Sequence, residues 1–141
     1  MPTEYPKPFA TTIGGSSWDE ITKSLSQAWP SVCEATSRYL ATYPSRARHA
    51  DRLRIYIRPD SGTLYCALGS ISRRTMYAEV ASIFIPHVES VWHEPVESSH
   101  HHDLLEQIKS ALSSACKARP ANLVISMVEF DDLETEVVLP A

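Results

Sequence analysis

Residues 53–68 read as two strands joined by a tight turn, and that pair constrains everything else the chain can build. Leu53, Ile55 and Ile57 alternate with Arg54, Tyr56 and Arg58. A period of two is the mark of a strand with one buried and one solvated face. Pro59, Asp60, Ser61 and Gly62 supply turn chemistry, and Leu64, Cys66 and Leu68 resume the alternation. A hairpin with one apolar face needs something to cover that face.

Two stretches offer the cover. Ser17-x-x-Glu20 has the form of a capping box, and Ile21, Leu25, Ala28, Val32, Tyr39 and Tyr43 follow it at helical spacing. Pro30 interrupts the stripe, which predicts a kinked helix or two abutting ones, broken near Trp29 and ended by Pro44. The second stripe runs through Leu104, Leu105, Ile108, Ala111, Leu112, Ala115 and Cys116. Ser98 or Ser99 can cap this helix, Asp103 and Glu106 suit its positive end, and Lys117 and Arg119 suit its negative end before Pro120.

The remaining segments are strand-like. In residues 71–92, Met76, Val80, Ile83 and Phe84 fit a helix, whereas Ile85, Val88 and Val91 fit strand; a strand-rich segment broken at Pro86 is the expectation. Residues 123–130 and 134–139 read as a closing hairpin around Asp131 and Asp132. Residues 1–15 form an extended lead, in which Pro2, Pro6 and Pro8 oppose regular structure. The order is helix, hairpin, strand-rich segment, helix, hairpin. It predicts a single α+β domain over residues 16–141, with two amphipathic helices on a mostly antiparallel sheet.

Length and composition exclude several classes. A chain of 141 residues is long enough for one core without staples. The longest apolar stretch, near residues 80–85, is too short to span a bilayer, and the N-terminus lacks the pattern of a secretory signal. Cys33, Cys66 and Cys116 are odd in number, far apart and set on apolar stripes. They read as buried thiols of a reducing, cytoplasmic compartment. Nine Arg against four Lys suits a bacterial protein.

Charge is divided along the chain. Residues 1–74 hold ten Lys and Arg against six Asp and Glu; residues 75–141 hold three against eleven. The basic half includes Arg46, Arg48, Arg52, Arg54 and Arg58, with Tyr43 and Tyr56 among them. A net charge of −4 and the lack of a recognisable module weigh against nucleic acid. Paired carboxylates across the sheet are the simpler use for these arginines.

Residues 93–103 concentrate metal-ligating side chains: His93, Glu94, Glu97, His100, His101, His102 and Asp103. Three successive His at a helix start point about 100° apart. A site would therefore need one or two of them, such as His101, together with His93, Glu97 or a distant residue such as His87, and no metal or other cofactor is expected. The Gly14-Gly15-Ser16-Ser17 segment has no phosphate-binding fingerprint, and no nucleophile–base set is legible.

The acidic closing hairpin carries Glu129, Asp131, Asp132, Glu134 and Glu136, more charge than folding requires. The expectation is a non-enzymatic protein-binding domain, most concretely a small bacterial immunity or regulatory protein that occludes a basic partner such as a toxin domain. Asp131, Asp132, Glu134 and Glu136 would supply the acidic surface and Trp92 an apolar anchor. A small enzyme or metal-responsive protein built on residues 93–103 is the alternative, and a homo-oligomeric module the third reading.

Overall fold

The computed structural model describes residues 7–70, 75–93, 98–120, 123–129 and 132–139, with backbone alone at 46–47, 75–77, 98–100 and 132–135. The chain folds as one α+β domain around a six-stranded mixed sheet. In chain order the elements are β1 (Phe9–Thr12), α1 (Trp18–Thr42), a single turn α2 (Pro44–Ala47), β2 (Arg52–Arg58), β3 (Thr63–Ser70), β4 (Thr75–Phe84), α3 (Pro86–Trp92), α4 (Ser98–Ala115), β5 (Val124–Glu129) and β6 (Asp132–Val138). The sheet runs β1-β4-β3-β2-β5-β6. Pairs β2–β3, β3–β4 and β5–β6 are antiparallel; β1–β4 and β2–β5 are parallel.

The two amphipathic stripes fold as helices that pack on one another and on one face of the sheet. Ser17 caps α1: its Oγ accepts from the Glu20 amide at 3.3 Å, while the Glu20 carboxylate accepts from the Ser16 amide at 3.1 Å. Pro30 does not divide α1, which runs unbroken for 25 residues. The proline is exposed, so the carbonyl it leaves without an amide partner can meet water. Ile21, Leu25, Trp29 and Val32 meanwhile bury the opposite stripe across that point. Trp29 Nε1 donates to the Ala118 carbonyl at 2.6 Å, fastening α1 to the chain that leaves α4. That helix ends at Ala115, short of Lys117 and Arg119; Arg119 instead donates to the Leu139 carbonyl at 3.0 Å. The capping serines expected at its start lie where side chains are not described.

Two segments depart from the sequence reading. Phe9–Thr12 is an edge strand in register with Ala81–Phe84 rather than an irregular lead. Its prolines precede it, where they cost the ladder nothing, and Ile13 enters the core behind it. Beyond Pro86 the chain is helical rather than strand-like. Pro86 occupies the first turn, where its missing N–H is not needed, and Val88 is buried while Val91 packs beside the core three residues on.

The β2–β3 turn fits closely against α3. Gly62 has φ +69°, and a Cβ there would stand 2.8 Å from Glu89 Cβ and 2.9 Å from the Ile85 carbonyl oxygen. The Ile85 amide donates to the Gly62 carbonyl at 2.7 Å. Glycine is therefore required twice over, by conformation and by space.

The second face of the sheet also becomes buried at its centre, and this corrects the half-buried reading of β2. Tyr56, Ala67 and Val128 form a small cluster built from strand residues alone, with Tyr65 packed against it. Arg54 is 2% exposed rather than solvated. Among the described residues no helix is long and apolar enough to cross a membrane.

Candidate functional site

The closing hairpin takes its position from buried charge. Ladder register places Val138, Ser126, Arg54 and Ala67 side by side across β6, β5, β2 and β3. Glu136, two residues before Val138, points to the same face. Its carboxylate accepts from Arg52 Nη1 at 2.6 Å, Arg54 Nε at 3.0 Å, Arg54 Nη2 at 3.4 Å and Ser126 Oγ at 2.6 Å. Arg54 Nη2 reaches on to the Ser70 carbonyl at 3.5 Å.

Burial by itself would raise the Glu136 pKa. Hydrogen bonds from Arg54, Ser126 and Arg52 outweigh that effect and bring it down to about 2. Placing two guanidiniums in the sheet costs several kcal/mol each unless a counter-charge and hydrogen bonds compensate. Glu136 supplies both from a strand 80 residues away in sequence, so the last strand is tied to the first hairpin. Among the described residues Arg52 Nε finds no partner.

Two further contacts hold the hairpin, one from α4 and one within its own backbone. Lys109 of α4 bonds Glu129 at 2.7 Å and Glu106 at 3.4 Å. The Glu129 hydrogen bond raises the lysine's pKa, against an opposing effect of burial. Leu139 donates its amide to Ile125 O at 2.8 Å and is itself buried.

β6 also carries exposed side chains, one on each face of the sheet. It is the last strand of the sheet, and it carries Val137 and Val138 at 47% and 50% exposure, the exposed large hydrophobics among the described residues. The pairing of β5 with β6 is irregular: Met127 faces Val137, but Glu129 faces Asp132, so extra β6 residues bulge between them. Asp132 and Glu134 belong to this strand through their backbone, and their side chains are not described. Asp131 lies outside the described residues. Of the acidic set, Glu136 is thus turned inward to Arg52 and Arg54.

Trp92 stands on another element, at the end of α3. Its ring stacks on His101 of α4 with centroids 4.0 Å apart, and His101 Nε2 lies 3.1 Å from the Trp92 carbonyl oxygen. His93 Nε2 lies 2.8 Å from the Asp60 carbonyl oxygen, tying α3 to the β2–β3 turn. The two histidines thus address different carbonyls. Glu94 and Glu97 fall outside the described residues, and among those described no group of three or more His, Cys, Asp or Glu is arranged to hold a metal.

Cys66 and Cys116 are buried and Cys33 is half-buried; all three are free thiols. Burial, with smaller contributions from Glu79 and Cys33, pushes Cys66 up to about 12, and burial, with smaller contributions from Cys66 and Cys33, raises Cys116 as well. Neither offers a thiolate near neutral pH. Tyr56, which lies among the arginines in sequence, is 5% exposed and so presents no open ring face on which a base could stack.

Sequence reasoning missed Ser126 and Arg52 as parts of the Glu136 cluster. A serine at the centre of an otherwise apolar strand, Val124–Glu129, was the available signal, because a buried hydroxyl calls for a partner. The chain matches no protein-family model, no curated protein and no solved structure.

Proposed function

We propose that this chain is a protein-binding domain that uses the outer edge of β6 to hold a basic protein partner, in the manner of a small bacterial immunity or regulatory protein occluding a toxin's basic cleft. The supporting observation is the exposure of Val137 and Val138 on an edge strand of high acidic density. Val137 and Val138, one on each face of that edge strand, give a partner that wraps the edge an apolar foothold on both sides. An edge strand left to itself invites pairing with a second copy. Here Asp132 and Glu134 would meet their own kind in such a pair, and like charges placed opposite are unfavourable. A basic partner relieves that repulsion, and the long-range attraction speeds encounter.

In this reading Glu136 has a supporting role. It locks β6 onto the sheet so that the edge is rigid, and rigidity lowers the entropic cost of binding. Asp131, Asp132 and Glu134 meet the partner. Trp92 would be a separate anchor, reached only by a partner that extends to the α3–α4 junction.

The test is capture from a lysate of the encoding organism by three immobilised proteins: the wild type, Val137→Ser/Val138→Ser, and Lys23→Glu as a control on α1. The expected result is one protein held by the wild type and the control, released by salt, and lost by the β6 double variant. Capture that survives the β6 changes, or no capture at all, contradicts the reading.

A further inference from the structure

Between α1, α3 and α4 lies a cleft that the β6 reading does not use. Two adjoining hollows of about 260 and 280 Å³ share Trp18 and Gln107 as lining residues. The first is completed by His87, Val91, Asp103 and Leu104. The second continues between the helices past Asp19, Thr22 and Ser110. Trp18 is held at its position by an edge-to-face contact with His87, ring centroids 5.6 Å apart at 79°.

The charged groups of this lining are acidic: Asp103 in the first hollow and Asp19 in the second, with no Lys or Arg; His87, Gln107, Ser110 and Ser114 are its other polar side chains beside Thr22. An indole is the side chain most favourable to a cation lying over its face. The Thr22 hydroxyl spends its proton on the Trp18 carbonyl at 2.7 Å, so toward a ligand it can only accept. Val91 and Leu104 give the first hollow an apolar wall beside Asp103. Carboxylates, an indole and a hydrogen-bond acceptor beside an apolar wall are complementary to a positive head on a methylene stem.

We propose that this cleft binds an alkylammonium group, seated between Asp103 and the Trp18 indole with its stem along Val91 and Leu104. The group can come from a free polyamine or from a lysine side chain of a protein. The site is independent of the β6 edge, and its test does not depend on finding a partner.

The probes are spermidine and Nα-acetyl-lysine amide, titrated into the full chain with ¹⁵N labelling. The protein has three tryptophans, so the indole N–H signals are few, and Trp18→Phe assigns the one that belongs to the cleft. The expected result is a saturable shift of the Trp18 signal, weakened about threefold or more by Asp103→Asn. Asp103 is exposed, so its substitution leaves folding intact. Glu34→Gln, on an exposed stretch of α1 paired with Arg38, should keep full affinity. Tighter binding of spermidine identifies the free amine; tighter binding of the lysine derivative identifies a protein side chain. No saturable shift with either probe, a smaller effect of Asp103→Asn, or an equal loss in Glu34→Gln overturns the proposal.

Discussion

Protonating Glu136 would strip the buried Arg52 and Arg54 of their counter-charge. Its pKa is about 2 in the folded chain, against about 4.3 for an unfolded glutamate. A carboxyl group whose pKa is depressed on folding contributes stability that is complete above the unfolded value and is lost as pH falls toward the folded one. The window is therefore from about pH 4.3 down to about pH 2, and the shift corresponds to roughly 3 kcal/mol at neutral pH. Glu136→Gln keeps the shape and removes the charge. Denaturant unfolding at pH 7 should show it less stable by about 2–3 kcal/mol, the gap closing as pH is lowered through that window. Parallel pH profiles for the two proteins would contradict the assignment. At this scale the sequence was partly legible. Alternation placed Arg54 on the face opposite Leu53 and Ile55, and an internal carboxylate partner for it was foreseeable in kind. What alternation cannot tell is whether a second face is covered, because that depends on strands whose neighbours are fixed only by the tertiary fold.

Among the elements, those that declare a clean period were the ones readable in advance. The β2–β3 hairpin and the core stripe of α4 each repeat one pattern over several turns or pleats, and local signals agree with it. β1 has four residues and gains its place through a parallel partner some 70 residues away, so no local pattern could announce it. At α3, Val88 and Val91 suit strand by residue type but a helix face by spacing, and Pro86 favours the helix by starting it rather than breaking it. α1 shows the opposite error, in which a local breaker is overridden by packing on both sides. Since Pro30 costs the helix one backbone hydrogen bond at an exposed position, Pro30→Ala should stabilise the protein. The gain should be about 1–3 kcal/mol, read as a higher melting temperature with unchanged helical dichroism. An unchanged or lowered melting temperature would mean that Pro30 serves a contact beyond its own turn.

Across the whole molecule, the charge division seen along the sequence is partly cancelled by contacts between its two halves. Part of the basic half is spent inside the sheet, where Arg52 and Arg54 neutralise Glu136, while Arg38 is paired on the surface with Glu34 at 2.6 Å. The acidic half keeps Asp132 and Glu134 on β6, the strand that also carries the exposed Val137 and Val138. Which carboxylate would be consumed internally was not legible, because the serine and arginines that take Glu136 lie on two strands, β5 and β2, far apart in sequence.

The central claim is that the hairpin's remaining charges serve a partner rather than the fold, and one double variant tests it. Asp131→Lys/Asp132→Lys should slow association with the captured partner and flatten the salt dependence of its on-rate. In this reading both carboxylates face solvent, where charges contribute about 0–1 kcal/mol each, so the melting temperature should hardly move. A variant that melts at lower temperature while associating as fast as the wild type, with the same response to salt, would contradict the account.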